Sequence, residues 1–429
     1  MTSKWMRAAL GSVIVCAVIT AGGCSAPSRQ EAAPTPEAVT TPSPSPAPTP
    51  TPDPVHAVTD RMTTEEKLGQ MMLFGVQGTA LDAQTRKHIT DDHVGGFIFY
   101  SDNIKDTHQA WSLISDMRQA NAAGGKLPLL LSADQEGGRV ARLPKELPAF
   151  PTSLAVGKTE DPDYAFRIGG MLGKALKAYG LNVDFAPVLD VNSNPNNPVI
   201  GDRSFGNSAD TVSTMGIQEM KGLQGQGVIS VVKHFPGHGD TSVDSHKDLP
   251  VVNHDINRLR SLEFVPFAEA IRQGADAVMV AHLLVTKLDP DVPSSLSRVI
   301  IQDYLRGELG FQGVVITDDL TMEAITKTMP IGTAAVKAVQ AGADIVLVGH
   351  DPAQQQAVLD ALKKAAEDGT LSKEAIDASA ARIVKLKQKA KLPADSDSLP
   401  EPDTGKLAAD IRSVVNSAST RTGNSGSAK

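Results

Sequence analysis

Residues 233–248, KHFPGHGDTSVDSHKD, gather groups that can move protons and hold hydroxyls. The stretch contains three histidines, the charged side chains of Lys233, Asp240, Asp244 and Lys247, and two glycines. The apolar run 228–232 (VISVV) leads directly into it. A buried strand that ends in Lys-His and passes into a Gly/Pro-broken loop is the way an α/β barrel presents chemistry at its mouth. Asp244 and His246 stand two apart in that loop. A carboxylate beside an imidazole fixes its tautomer and raises its basicity, which makes a general acid/base pair. The alternative is a polar loop in which the two satisfy each other. The density of such groups after a buried strand favours function.

Other apolar runs end in the same way. Asp134, Glu136, Arg139 and Arg142 follow the third, and Asp190 and Asn192 the fourth, whose loop adds Asp202 and Arg203. His282 follows the sixth, Asp318 and Asp319 the seventh, His350 and Asp351 the eighth. Asp134, Arg142, Arg203, Lys233 and His234 together suit the hydroxyls of a sugar ring. Asp318 suits a nucleophile at an anomeric carbon, and a retaining glycosidase needs such a group with a separate acid/base. His246 backed by Asp244 fills that second role. Its neutral imidazole repels no approaching anion, and when protonated it delivers a proton to the leaving oxygen. Asp319 is the competing nucleophile, but adjacent strand residues point to opposite sides, so only one of the two faces the site. Asp190, Asn192, His282, His350 and Asp351 are balanced between structural and functional roles. Asp202 is expected to pair with a nearby Arg, and His238 to hold the loop's shape. Two other classes remain open on the residues alone: a Schiff-base enzyme using Lys233, and a sugar-binding protein without turnover.

These residues need a scaffold, and about 340 residues, 55–392, are available for one. Short apolar runs recur at 71–76, 96–100, 127–133, 183–189, 228–232, 277–280, 313–316 and 345–348. Segments with helical period separate them, including 107–121, 163–179, 210–226, 256–273 and 352–368. Strands alternating with helices imply a parallel sheet, and eight units predict a single α/β catalytic domain, a (β/α)8 TIM barrel. An open doubly wound sheet is the second choice. No GxGxxG or GxxxxGK[ST] follows a strand, which weakens nucleotide binding. A net charge of −8 without a long basic run disfavours nucleic acid as a partner.

Residues 1–24 read as an export signal, with Lys4 and Arg7 before a short apolar core. Ala21-Gly22-Gly23-Cys24 is similar to a lipobox, with Cys24 as the lipidated residue; the usual Leu is replaced by Ala21. The other cysteine, Cys16, lies inside the signal, so a mature chain has no disulfide and no cysteine metal site. Residues 25–54 are rich in Pro, Thr and Ser, which favours an extended polyproline II stalk. At full extension it spans on the order of 90 Å. Residues 393–429 read as a tail, with a short helix at 406–417 (Leu407, Ile411, Val414 and Val415 on one face) and a disordered Gly/Ser-rich end at 419–429.

KHFPGHG-x4-DSH, with DQEGGRVAR before it, GDRSFG between and GVVITDDLTM after it, resembles the β-N-acetylglucosaminidases of glycoside hydrolase family 3, in order over residues 60–390. The resemblance implies a (β/α)8 barrel and retaining hydrolysis of terminal β-linked GlcNAc. It implies Asp318 as nucleophile, His246 as acid/base with Asp244 as its partner, and Asp134, Arg142, Arg203, Lys233 and His234 as the residues that hold the sugar. No metal or organic cofactor is implied. Peptidoglycan pieces such as GlcNAc–MurNAc saccharides are the implied substrates, and some relatives release the sugar to phosphate. Members that use a carboxylate acid from a second domain differ, which fits the histidine-in-loop subgroup. With the signal, the resemblance is nearest to lipoprotein members of high-GC Gram-positive bacteria. An exported, lipid-anchored monomer on the outer face of the membrane, partly released, is expected.

Overall fold

The computed structural model describes residues 53–124, 127–242 and 248–418. The signal, the linker up to residue 52, Cys24, Asp244, His246 and the expected disorder of 419–429 lie outside the described residues; the expected linker's last two residues, Asp53 and Pro54, instead cap and begin a helix. Within them, eight parallel strands close into a barrel, each paired with its sequence neighbours and the last with the first. They are β1 (Met72–Gly75), β2 (Gly96–Phe99), β3 (Leu130–Ala133), β4 (Val183–Asp184), β5 (Ile229–Phe235), β6 (Ala277–Val280), β7 (Val314–Asp319) and β8 (Ile345–Val348). Pairing is unbroken round the ring, for example Leu73 opposite Gly96, Val183 opposite Ile229, Val278 opposite Val315 and Met72 opposite Val346, with register shifts between β5 and β6 and between β7 and β8. Strands covered on both faces favour apolar residues at most positions, which is why they read as near-continuous runs and not as alternations.

The outer ring is α1 (Ala83–Thr90), α2 (Thr107–Gly124), α3 (Pro162–Ala178), α4 (Ala209–Gly225), α5 (Phe264–Arg272), α6 (Val299–Glu308, wound with wide i to i+5 bonds), α7 (Ile331–Ala341) and α8 (Pro352–Glu367). Their starts are written in sequence. Asp161 and Asp351 accept N–H groups of the first turns of α3 and α8, each followed by Pro at the first helical position, and Ser208 caps α4. Ile168, Met171, Leu172, Ala175 and Leu176 are the buried stripe of α3.

Four expected elements differ. The helix expected at 256–273 is two, Ile256–Ser261 and α5. Pro266 cannot donate to the carbonyl four residues back, so the helix restarts and Pro266 sits in its first turn. The fourth run is a ladder only at Val183–Asp184, because Pro187 has no N–H to give; the chain continues extended beside β5, with Leu189 N–H donating to Lys233 O at 2.6 Å. β5 and β7 run on past their apolar parts to Phe235 and Asp319.

The barrel base is closed by the N-terminal helices Pro54–Thr59 and Thr64–Gln70 and by the helix Lys373–Lys389. Buried Lys387 donates there to Gln70 Oε1 at 2.6 Å and Gly95 O at 3.0 Å. Beyond it, Asp395 accepts from Asn121 at 2.6 Å and from Leu129 N–H at 2.9 Å. The final described helix, Thr404–Asn416, buries Leu407 and Ile411, with Val414 and Val415 packed against the core. Among the described residues no helix is long and apolar enough to cross a membrane.

Two of the buried acids, Asp184 and Glu219, are pushed towards their neutral form. Asp184 accepts the Gln135 N–H at 3.0 Å, and its second oxygen meets no hydrogen-bond partner. Burial pushes the Asp184 carboxyl well up; burial, then repulsion from Asp184 and Glu136, does the same to Glu219. A carboxyl whose folded pKa is raised contributes stability that is present below its unfolded value and lost as pH rises through the folded one. Asp184→Asn and Glu219→Gln are therefore expected to raise the melting temperature at pH 8 and to leave it nearly unchanged at pH 4. Scanning calorimetry at both pH values checks this; no gain at pH 8 in either variant contradicts it.

Candidate active site

The C-terminal ends of the strands open on one cleft of about 560 Å³. Its lining brings together Asp134, Arg142, Arg203, Lys233, His234 and Asp318, which the sequence places up to 184 residues apart (134 to 318), together with Tyr100, His238 and Asp319. Most stand where a strand ends or just beyond: Tyr100 after β2, Asp134 after β3, Lys233 and His234 in β5, Asp318 and Asp319 closing β7, while Arg142 and Arg203 come from the long loops after β3 and β4.

The floor is a chain of alternating charges. Lys233 Nζ lies 2.6 Å from Asp134 Oδ1 and 2.7 Å from Glu136 Oε1. Glu136 in turn takes Arg203 in a two-pronged pair, Nε and Nη2 each at 2.7 Å. Arg142 Nη2 stands 3.9 Å from Asp134 Oδ2. Burial pushes the Glu136 carboxyl up, but Lys233 and Arg203 more than offset this and hold it well below the usual carboxylate range. Burial likewise opposes the charge on Lys233, and Asp134 and Glu136 outweigh it, so its pKa is raised. Lys233 is thus a fixed cation. That disfavours a Schiff base, which requires a neutral amine.

The two acids at the end of β7 separate cleanly. Asp319 spends both oxygens on the fold. Oδ1 accepts from Thr321 N–H and Gly349 N–H, each at 2.9 Å, and from Thr321 Oγ1 at 2.8 Å; Oδ2 accepts from Tyr100 Oη at 2.9 Å. Asp318 lines the cleft, with its Oδ1 accepting the Asp319 N–H at 2.9 Å. Both acids line the cleft, so strand alternation does not divide them as expected; the hydrogen bonds that hold Asp319 in the fold do. Asp319→Asn is expected to lower stability, while the variant still forms any covalent sugar adduct on Asp318. Intact-protein and peptide mass spectrometry after substrate quench checks this, and an adduct found on residue 319 of the wild type contradicts it.

The loop after β5 is shaped by its glycines. Gly237 has φ 125°, open to few other residues, and a Cβ on Gly239 would overlap Val191 O. His238, between them, is buried, and its Nδ1 lies 2.7 Å from Thr241 Oγ1. Burial lowers its imidazole to about 4, so it is neutral at ordinary pH. The expected shape-holding role fits this placement. At the loop's far side His254 Nε2 meets Asp240 Oδ2 at 2.6 Å. Asp244 and His246 belong to the segment between, outside the described residues.

The balanced residues resolve individually except Asn192, whose buried side-chain oxygen meets no hydrogen-bond partner among the described residues. His282 is buried between Ser295 Oγ at 2.7 Å and Asp319 O at 2.9 Å, and so braces β7. Asp351 caps α8, and His350 sits edge-on to Tyr100. Asp202 pairs with Arg139 at 2.9 Å. Asp190 is fully buried beneath His234. Sequence reasoning passed over Tyr100 and the binding part of Glu136. Glu136 carried a signal: it stands two from Asp134, and residues two apart on extended chain share a side. Tyr100 carried none beyond its place after an apolar run. Among the described residues no group of three or more His, Cys, Asp or Glu is arranged to hold a metal ion.

Comparison with known proteins shows the family. Residues 63–386 match the glycosyl hydrolase family 3 N terminal domain. Beta-hexosaminidase A of Pseudoalteromonas piscicida is 35% identical over 377 residues, 79% of this chain and 63% of the relative, so the chain spans under two thirds of that protein. A beta-hexosaminidase of Tolumonas auensis is 36% identical over 299 residues, 69% of this chain and 87% of the relative. A glycoside hydrolase family 3 beta-N-acetylglucosaminidase from a Paenibacillus species superposes with a TM-score of 0.78 at 43% identity, covering 82% of this chain and 68% of that one. A closed parallel barrel with Asp318 at its mouth, matched over most of its length, places this chain in glycosyl hydrolase family 3, and it is a glycoside hydrolase.

Proposed function

We propose that the protein is a retaining exo-β-N-acetylglucosaminidase that removes terminal β-linked GlcNAc from peptidoglycan-derived GlcNAc–MurNAc saccharides during wall turnover. The observation that carries the reading is the division of labour at the end of β7: Asp319 is consumed by the fold and Asp318 faces a cleft floored by sugar-binding groups. The names of the relatives supply the sugar. In the first step an Asp318 oxygen attacks the anomeric carbon while protonated His246 gives its proton to the departing glycosidic oxygen. A glycosyl ester on Asp318 results. In the second step neutral His246 takes a proton from water, the water oxygen attacks the same carbon, and the Asp318 carboxylate leaves. Asp244 holds the imidazole in the tautomer this requires. Asp134, Arg142, Arg203, Lys233 and His234 bind the ring.

Export and anchoring through Cys24 on the outer face of the membrane, a monomeric state, and access to muropeptides there are part of the same proposal, supported by the signal-like N-terminus and the Pro-rich stretch after it. The described body begins beneath the barrel, at the end opposite the cleft.

The test is release of p-nitrophenol by the full chain from the β-GlcNAc and the β-glucose glycosides, with and without phosphate. Fast release from the GlcNAc compound without phosphate is the expected result. Strict dependence on phosphate would make the enzyme a phosphorylase, and binding without release a sugar-binding lipoprotein. His246→Ala is expected to slow GlcNAc–MurNAc cleavage by about 10²–10⁴-fold and the nitrophenyl glycoside far less, because nitrophenolate leaves without a proton. Equal losses on the two substrates argue against the acid role.

A further inference from the structure

Asp190 touches none of the cleft, yet its two oxygens receive three N–H groups from the segment that builds it. Oδ2 lies 2.6 Å from His234 Nδ1; Oδ1 accepts the backbone N–H of His238 at 2.6 Å and that of His234 at 3.3 Å. The residue is fully buried, and its two oxygens face three N–H donors, the surroundings that favour a carboxylate over a carboxylic acid. An ionised carboxylate only accepts, so the proton between it and His234 sits on Nδ1. The other ring nitrogen, Nε2, faces Arg203 Nη2 at 3.4 Å. A guanidinium only donates, and this one is locked in place by its two-pronged bond to Glu136. A second proton on Nε2 would set N–H against N–H.

We infer that Asp190 is a positioning residue that holds His234 as the neutral, Nδ1-protonated tautomer and so turns the Nε2 lone pair into the cleft as a hydrogen-bond acceptor. The consequence concerns the substrate and rests on the sugar-site reading given above. Arg142, Arg203 and Lys233 can only donate, and Asp134 already spends one oxygen on Lys233. A ring hydroxyl both donates and accepts. The His234 Nε2 lone pair faces the Arg203 guanidinium at 3.4 Å, a long contact that a ring hydroxyl donating its proton to Nε2 would replace. Asp190 also ties the first turn of the loop, through His238 N–H, to the same carboxylate that orients the ring.

The test is ¹H–¹⁵N two-bond correlation NMR on the full chain labelled with ¹⁵N-histidine at pH 7, with His234 assigned by its absence in His234→Gln. The expected pattern has Nδ1 protonated and Nε2 bare. In Asp190→Ala the pattern is expected to move towards the Nε2-protonated tautomer. KM for the nitrophenyl β-GlcNAc is expected to rise about tenfold, the worth of one hydrogen bond, with a smaller change in kcat. A protonated Nε2 in the wild type, whether the other tautomer or the imidazolium, overturns the inference. So does a His234 pattern unchanged in Asp190→Ala. If that variant fails to fold, the wild-type spectrum decides alone. The spectrum does not depend on turnover, so a failure of the GlcNAc reading would leave it standing and be seen separately.

Discussion

Asp318→Asn is expected to lower turnover of p-nitrophenyl β-GlcNAc by on the order of 10⁴-fold or more, the scale of losing a covalent nucleophile, while GlcNAc binding stays within a few-fold of the wild type. The amide keeps the shape of the carboxylate, and its oxygen still accepts the Asp319 N–H. The strand end is therefore undisturbed. What is lost is the anion that forms the bond to the anomeric carbon. The charged floor of the cleft is carried by β5 and the loops after β3 and β4, and β7 supplies none of its ion pairs. Steady-state kinetics with calorimetric GlcNAc binding checks both halves. Turnover within tenfold of the wild type would remove Asp318 from the mechanism.

Glu136→Gln is expected to cost about 3–5 kcal/mol of folding stability at pH 7, the range for removing one partner of a buried ionic group. Glu136 is the shared counter-ion of Lys233 and Arg203, all three buried or nearly so. A glutamine oxygen can serve one of the cations, and its NH₂ then faces the other. The remaining charge is left facing the cleft without its fixed partner, so KM should rise as well. The sign with pH follows from the depressed carboxyl. A group whose folded pKa lies below its unfolded value contributes stability above the unfolded value and loses it as pH falls. The gap between wild type and variant should therefore narrow below about pH 4. Denaturant titrations at pH 7 and in acid measure it. A gap under about 1 kcal/mol at pH 7, the size of an ordinary surface change, would mean that the cations do not depend on Glu136.

The barrel was legible because each of its strands is covered on both faces. Runs such as Ile345–Val348 and Ala277–Val280 have no polar face, and helices with capped starts separate them. Site position was legible for a related reason. Once apolar runs are taken as strands, the polar residues that end them have one place to go, the mouth. The same rule blurred the strand ends. Lys233, His234, Asp318 and Asp319 break the hydrophobic pattern, but main-chain pairing continues through them: Phe235 pairs with Val280 and Asp319 with Leu347. Pairing is a backbone property, and side-chain pattern reports burial. Roles that depend on a partner far along the chain were not legible. Nothing local marks Glu136 as the counter-ion of a lysine 97 residues on and an arginine 67 residues on (233 − 136 and 203 − 136), or Asp319 as consumed by Tyr100, Thr321 and Gly349. Adjacent acids look alike in sequence, and their hydrogen-bond partners tell them apart.

Central to the account is double displacement through Asp318, and the anomeric configuration of the first-formed sugar tests it most directly. In ¹H NMR of p-nitrophenyl β-GlcNAc during the first moments of hydrolysis by the full chain, before mutarotation, β-GlcNAc is expected to appear first, with the α-anomer growing in later. An α-anomer formed first would mean that water attacks the anomeric carbon directly, and it would contradict both the glycosyl–Asp318 intermediate and the role given to His246.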